Sequence, residues 1–171
     1  MRTLPALQRP TVLVGLALVA LLAVFFGRAQ PLPPVSFTTL AGERISAAEL
    51  QGKVVLVSFW ATTCAVCARE MPQMVETYRT YAPRGFEVIA VAMPYDRPDW
   101  VVDYAGRNGL PFRVALDYDA TLNRAFGGVE ATPTSFLIDK RGKILQRIVG
   151  EPDFARLRTM IERELDPGGA G

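Results

Sequence analysis

The sequence contains no histidine and only two cysteines among its 171 residues. Without histidine the chain can form no Ser-His or Cys-His dyad, no Cys/His zinc site and no histidine-ligated haem. Two cysteines alone cannot complete a tetrahedral thiolate site within one chain. The residue after the second cysteine is Ala68, so the pair is not a C-x-x-C-H haem attachment motif. We therefore expect no metal centre of these kinds and no cofactor besides the cysteines themselves.

The chain also carries almost no net charge beyond its N-terminal segment. Arg2, Arg9 and Arg28 all precede the first acidic residue, Glu43. Without those three, sixteen of the nineteen basic residues remain against seventeen acidic ones. Nucleic-acid binding relies on a basic surface, so we expect no nucleic-acid partner. The length, with half of the composition apolar, suits one globular domain.

Residues 11–26 form an uncharged apolar run, and two arginines precede it. As a helix it would span about 24 Å, slightly less than a hydrocarbon core of about 30 Å. Residues 27–29, Gly-Arg-Ala, resemble a small-x-small cleavage site, so an uncleaved membrane anchor and a cleaved export signal both remain open. Either alternative predicts a periplasmic or otherwise extracytoplasmic protein, with residues 11–26 holding it to the inner membrane if they are retained.

Composition predicts four segments along the chain. Residues 1–29 form the anchor or signal, and the proline-rich residues 30–34 form a stiff spacer. Residues 35–165 form the domain, and residues 166–171 form a disordered tail.

Alternating strand-like and helix-like patterns in the domain predict an α/β fold, with a mixed central sheet between helices. The chain opens with a short hairpin that turns near residues 41–42. Apolar runs predict five further strands, over residues 53–61, 86–93, 112–117, 134–139 and 143–150. A helix follows the first of these runs directly, with Pro72 inside it. Asp96 and Asp99 resemble the capped start of another helix.

Both cysteines lie in WATTCAVCAREMP, residues 60–72, at the predicted strand-to-helix corner. Cys64 falls near the helix N-cap, where the N–H of Val66 or Cys67 can donate to its sulfur and the helix dipole favours a negative charge. Both effects favour the thiolate, so Cys64 is predicted to be the nucleophile. Cys67, one turn further, would resolve the mixed disulfide. A stabilising clip is the weaker alternative because so short a loop constrains the unfolded chain little.

WATTCAVCAREMP, together with FGGVEATPTSFLIDKRGKI at residues 126–144, resembles the thioredoxin superfamily. It looks most like the membrane-tethered, extracytoplasmic TlpA/ResA-type thiol-disulfide oxidoreductases of the redoxin family, which are related to the cytochrome c maturation thioredoxins. The resemblance implies a thioredoxin-like fold with an added N-terminal hairpin and a strand–helix insertion around residues 95–117. It covers roughly residues 35–165.

The same resemblance implies further site residues. Pro133 matches the cis-proline that faces the cysteine pair and helps to bind extended partners, and the backbone of Thr132 can pair with a partner strand. Glu70 matches an acidic residue kept three positions after the second cysteine, as a partly buried proton acceptor for Cys67. The alternative for Glu70 is a solvated side chain paired with an arginine. Trp60 is expected beside the disulfide, as a substrate-binding or a packing residue.

Two positions depart from the family pattern. Thr63 stands where most relatives have tryptophan, which opens the surface near Cys64 and alters partner choice. Val66 stands where they have proline and restores an N–H that can donate to the Cys64 thiolate. Because stabilising the thiolate makes a pair more oxidising, this predicts a less reducing potential than in a C-x-P-C relative.

We therefore expect an extracytoplasmic disulfide reductase, acting as a monomer on client proteins with thiols or disulfides and re-reduced by a membrane thiol donor. By resemblance, clients would be apocytochrome c or a copper-site protein. A dithiol oxidase with the same site is the first alternative, and a Cu(I) metallochaperone is the second, since soft thiolates suit that ion. A peroxiredoxin is disfavoured because its motif would need proline at Val57 and threonine at Ala61.

Overall fold

The structure, a computed structural model, describes residues 14–15 and 30–166. The chain divides into two compact units, Met1–Gln30 and Pro31–Gly171, and the elements given below belong to the second. Apart from residues 14–15, the predicted anchor or signal lies outside the described residues, and so does the predicted tail beyond residue 166. In the part of the chain that is described, no helix combines the length and the apolar character needed to span a membrane.

The described residues confirm the predicted α/β order, and each strand predicted from an apolar run begins and ends within one residue of its predicted limits. The elements are β1 (Ser36–Thr38), β2 (Arg44–Ser46), β3 (Val54–Trp60), α1 (Ala65–Tyr81), β4 (Phe86–Ala92), α2 (Pro98–Arg107), β5 (Arg113–Leu116), α3 (Thr121–Ala125), β6 (Thr134–Ile138), β7 (Ile144–Val149) and α4 (Phe154–Leu165). Short 3-10 helices cover Ala47–Leu50 and Ala82–Arg84.

Five strands form one mixed sheet in the order β5-β4-β3-β6-β7, and β1 pairs with β2 separately. Strands β3, β4 and β5 are parallel, whereas β6 and β7 run antiparallel to their neighbours. In register, Trp60 at the end of β3 lies beside Ala92 at the end of β4. Since the carboxyl ends of parallel strands meet at one edge, the loops that follow β3 and β4 start side by side.

Period-two alternation in β3 explains why the sheet is buried on both faces. Leu56 and Trp60 point into one apolar cluster, which α1, α2 and α4 cover. Val57 and Phe59 point into a second cluster on the opposite face, which the β1–β2 hairpin and α3 cover. The central strand therefore has no polar face, and the one polar side chain within it, Ser58, is buried.

The hairpin also covers an edge of the large sheet. Leu40, just after β1, donates its N–H to the carbonyl oxygen of Val114 in β5 at 2.9 Å. Thr39 forms an antiparallel bridge with Ala115. The α2–β5 unit, at residues 98–116, thus extends the sheet beyond β4 and is closed off at its outer edge by the hairpin.

One local prediction is wrong. Asp96 and Asp99 do not cap α2: the N-cap is Arg97, it has no side-chain cap, and Pro98 opens the helix, as suits a residue with a fixed φ and no N–H. Asp99 instead pairs with Arg97 at 2.7 Å, and Asp96 has the distant partner described below.

Part of the predicted proline-rich spacer pairs with the domain. Leu32 donates its N–H to the carbonyl oxygen of Gly142 at 2.7 Å, and Pro31 bridges to Lys143 just before β7. Residues 31–32 therefore pair with the turn between β6 and β7. The segment boundaries themselves stay a prediction.

Candidate active site

Cys64 and Cys67 form a disulfide at the start of α1. Cys64 is the N-cap residue of this helix, with extended backbone angles, and the N–H of Cys67 donates to its Sγ at 3.2 Å. Cys64 is partly exposed, whereas Cys67 is fully buried. The arrangement gives an incoming partner access to Cys64 and shields Cys67, which are the positions expected of an attacking and a resolving thiol.

One of the two donors predicted for Cys64 is present. Of the two N–H groups predicted to reach the sulfur, the one of Cys67 does so, and the one of Val66 does not. The argument that Val66 makes the pair less reducing by adding a hydrogen bond therefore has no support in the disulfide form.

The loop before β6 closes the site on the other side. The Thr132–Pro133 peptide bond is cis, as the resemblance implies, and Pro133 is buried. The carbonyl oxygen of Thr132 lies 3.5 Å from Cys64 Sγ, within reach of a hydrogen bond once Cys64 carries a proton. Thr134 Oγ1 donates to the carbonyl oxygen of Ala131 at 2.7 Å, and the Gly150 N–H donates to that of Pro133 at 2.8 Å. Thr132 is therefore held against Cys64.

Glu70 lies on α1 one turn beyond Cys67 and is only 1% exposed. Its Oε2 is buried and accepts no hydrogen bond from the described residues. Burial is the main cause that raises the pKa of the Glu70 carboxyl from its ordinary 4.5 to about 8. This position excludes the alternative of a solvated glutamate paired with an arginine.

An ion pair stands near Glu70 and acts on it electrostatically. Arg69 on α1 donates to Glu151, in the loop between β7 and α4, at 2.7 and 3.1 Å. The negative charge of Glu151 also raises the pKa of the Glu70 carboxyl, and the positive charge of Arg69 opposes it. Sequence reasoning missed Glu151 because it is 81 positions away from Glu70 along the chain.

The remaining predicted residues divide between the surface and the core. Thr63, beside Cys64, is exposed and can contact a partner. Trp60 is 2% exposed and packs with its ring centroid 5.1 Å from that of Tyr104, in the same cluster as Cys67. The buried position fits the packing alternative, and the substrate-binding assignment of Trp60 stays a prediction.

A further residue near the site, Asp96, follows β4 and hydrogen-bonds Thr62, two positions before Cys64. A signal for it was present, since loops after neighbouring parallel strands meet at one edge of the sheet. Asp96 was interpreted as a helix cap instead, because its spacing to Asp99 is typical of one.

Comparison with known proteins supports the same chemistry. Residues 28–161 match the family described as Redoxin. The chain belongs to the Redoxin family. It is a thiol-disulfide oxidoreductase of the thioredoxin superfamily, of the TlpA/ResA type, which confirms the resemblance seen in the sequence.

Relatives of this Redoxin-family chain include the thiol-disulfide oxidoreductase ResA of Bacillus thuringiensis (strain Al Hakam). It is 38% identical over 132 residues, which cover 77% of this chain and 75% of ResA. A protein of Neisseria meningitidis described as a candidate thioredoxin superposes with a TM-score of 0.76 at 40% identity, covering 84% of this chain and 95% of that one. A thioredoxin-family thiol:disulfide interchange protein of Chlorobium tepidum superposes with a TM-score of 0.74 at 34% sequence identity. The match covers 81% of this chain and 97% of that one. The fold is therefore thioredoxin-like.

Proposed function

We propose that this oxidoreductase reduces disulfides of client proteins outside the cytoplasm, tethered to the membrane by its N-terminal segment. The carrying observation is a partly exposed Cys64 at a helix start, joined to a buried Cys67 with the buried Glu70 one turn beyond. The only redox group that this reaction requires is the Cys64–Cys67 pair, so we propose no further cofactor.

The reaction begins with the reduced pair. The Cys64 thiolate attacks one sulfur of a client disulfide, and the other client sulfur leaves as a thiolate that takes up a proton. Cys67 then gives its proton to the ionised Glu70 carboxylate and attacks Cys64 Sγ, and the first client sulfur leaves as a thiolate that takes up a proton from solvent. Two electrons have moved: the client disulfide is now two thiols, and Cys64 and Cys67 are joined as in the structure.

Glu70 suits this proton transfer in both directions. Its pKa of about 8 lies close to the ordinary thiol pKa of about 8.5, so a proton can pass between the two groups at little cost. In the disulfide form at neutral pH the carboxyl is protonated. The protonated Glu70 can then give this proton to Cys67 when a reducing partner attacks Cys64. We propose that this partner is a membrane thiol donor.

Burial of Glu70 also bears on the direction of electron flow. A buried carboxyl beside Cys67 does not stabilise the Cys67 thiolate, and a pair whose thiolate is less stabilised is the better reductant. This supports reduction of clients over the dithiol-oxidase alternative. The oxidase would keep the pair as a disulfide at rest in cells, whereas the reductase would keep it as dithiols.

Other proposed features rest on the resemblance and on sequence. Clients are proteins with accessible cysteines, such as apocytochrome c or a copper-site protein, and the protein acts as a monomer. Thr132 and Thr63 are proposed to contact the client on either side of Cys64. The Cu(I)-chaperone alternative would require free thiolates and copper binding without disulfide exchange.

Trapping tests the function directly. In cells, replacing Cys67 with serine is expected to accumulate mixed disulfides between Cys64 and its clients, because the resolving thiol is gone. Mass spectrometry of the adducts on non-reducing gels identifies the clients. The matched control, Cys64→Ser with Cys67→Ser, lacks the nucleophile and should trap nothing. Equal trapping by both variants, or by neither, would contradict the proposal.

The ion pair beside Glu70 gives a separate prediction. Glu151→Gln is expected to lower the pKa of the Glu70 carboxyl below about 8, because a like charge is removed and Arg69 loses its partner. Carboxyl-carbon NMR of the oxidised protein measures this pKa. Glu130→Gln, at an exposed position, serves as the control. An unchanged or higher pKa in Glu151→Gln would count against the assigned role of Glu151.

A further inference from the structure

The loop that carries Cys64 is tied to the loop after β4. Asp96 Oδ2 accepts a hydrogen bond from the Thr62 N–H, and Oδ1 accepts one from Thr62 Oγ1, both at 2.6 Å. Oδ1 also accepts from the N–H of Arg97 at 3.0 Å. Asp96 is 9% exposed, so these are bonds of an almost fully buried carboxyl group.

The placement of Asp96 indicates a use other than helix capping. An aspartate at the start of a helix ordinarily caps it, and such a cap is worth about 1 kcal/mol. Here α2 has no side-chain cap, and Asp96 is directed at the loop before α1 instead. Thr62 supplies both a backbone and a side-chain donor, so one residue satisfies both carboxyl oxygens.

The geometry of Cys64 shows what this connection holds in place. On its helix side, Cys64 Sγ accepts from the Cys67 N–H at 3.2 Å. Across the site, the same sulfur lies 3.5 Å from the carbonyl oxygen of Thr132. On its N-terminal side, the Cys64 N–H donates to the carbonyl oxygen of Ala61 at 3.1 Å, in a turn whose next residue is Thr62. Thr62 therefore anchors the turn that places Cys64 at the start of the helix.

We propose that Thr62 and Asp96 form a clamp that positions Cys64 as the N-cap of α1, and so keeps its sulfur reactive. They are positioning residues and do not touch the reacting atoms. The clamp rests on the proposed function in one respect, the role of Cys64 as the attacking thiol. It adds a link between the active-site turn and the α2–β5 unit, whose connecting loop carries Asp96.

The test is the rate at which iodoacetamide alkylates Cys64 in the reduced protein, with peptide mass spectrometry identifying the modified cysteine. Asp96→Ala is expected to slow alkylation roughly tenfold, the factor that corresponds to one hydrogen bond of ordinary strength. Thr62→Val should slow it as well, because it removes the hydroxyl donor while keeping the side-chain shape. Thr62→Ser keeps both donors and should react like the unmodified protein.

The alkylation rate of a double variant distinguishes the clamp from a general loss of structure around Cys64. Residues that act through one shared contact have non-additive effects, so Thr62→Val with Asp96→Ala is expected to be no slower than Asp96→Ala alone. Reduction of the small disulfide hydroxyethyl disulfide should follow the same order of rates. The urea midpoint of each variant shows whether the fold is intact. If Asp96→Ala fails to fold, the matched pair Thr62→Val and Thr62→Ser still decides the question.

Four results would overturn the clamp. An unchanged alkylation rate in folded Asp96→Ala and Thr62→Val would contradict the clamp. Fully additive effects of the two substitutions on that rate in the double variant would contradict it as well. Faster alkylation in both Asp96→Ala and Asp96→Asn would mean that the carboxyl acts as a repelling charge and not as an anchor. Alkylation of Cys67 in place of Cys64 in the unmodified protein would instead refute the proposed roles of the two cysteines, and the clamp with them.

Discussion

Replacing Glu70 with glutamine is expected to slow the step in which Cys67 resolves a mixed disulfide by about 10²- to 10⁴-fold, the usual contribution of a general acid or base. Glu70 is one helical turn from Cys67 and almost fully buried, so solvent is a poor substitute as proton acceptor. Glutamine keeps the shape of the side chain and cannot take up the proton.

The pH profile distinguishes this role from a packing role. In the unmodified protein the resolution rate should rise as Glu70 ionises and level off above its pKa of about 8. In Glu70→Gln the rate should be lower and should keep rising above pH 8, because the Cys67 thiol must then lose its proton to solvent. Stopped-flow release of thionitrobenzoate from a mixed disulfide on Cys64 measures the rate. Glu76→Gln, on an exposed part of the same helix, is the matched control. Superimposable profiles for Glu70→Gln and the unmodified protein would refute the role.

The second large effect concerns stability. Between pH 4.5 and 8, the oxidised protein is expected to lose about 5 kcal/mol of unfolding free energy through Glu70. Below pH 4.5 the carboxyl is protonated in both states and stability is highest. Between 4.5 and 8 it remains protonated when folded but ionises when unfolded, so the folded state binds more protons and stability falls as pH rises. Above pH 8 it is ionised in both states and the contribution is flat.

Urea unfolding of the oxidised protein across this range measures the effect without titrating thiols. Glu70→Gln should flatten the pH dependence, whereas Glu76→Gln, which loses an exposed ion pair with Arg158, should keep it. A loss of this size is comparable to the whole stability of a small domain. An equally steep decline in Glu70→Gln would show that Glu70 is not its source.

Local patterns in the sequence predict the elements and the cysteine site well. Strands such as β3 are continuous apolar runs, and their limits are set by neighbouring polar and glycine residues. Cys64 could be placed at a helix start because the strand and the helix around it both have clear patterns. Burial of Glu70 was predicted only in part, because its extent depends on how α1 packs into the fold.

The wrong cap at Asp96 and the unpredicted pairing of Leu32 share a different cause. Asp96 has the local pattern of a helix cap, yet its partner Thr62 lies 34 positions earlier in the chain. Leu32 belongs to a run whose composition predicts a stiff spacer, and its pairing with Gly142 was not predicted. Each residue hydrogen-bonds a distant segment, Asp96 through its side chain and Leu32 through its backbone N–H, and neither propensity nor spacing along the chain encodes such a partner.

The hairpin contact with β5 has a consequence for the proteins on which this enzyme acts. The unpaired edge of a sheet is a template on which strand-like segments of other chains add and aggregate. At β5, an incoming strand would first have to displace Thr39 and Leu40, which already pair with that edge. The hairpin thus occupies the backbone groups of this edge with which a strand-like segment of another protein would otherwise pair.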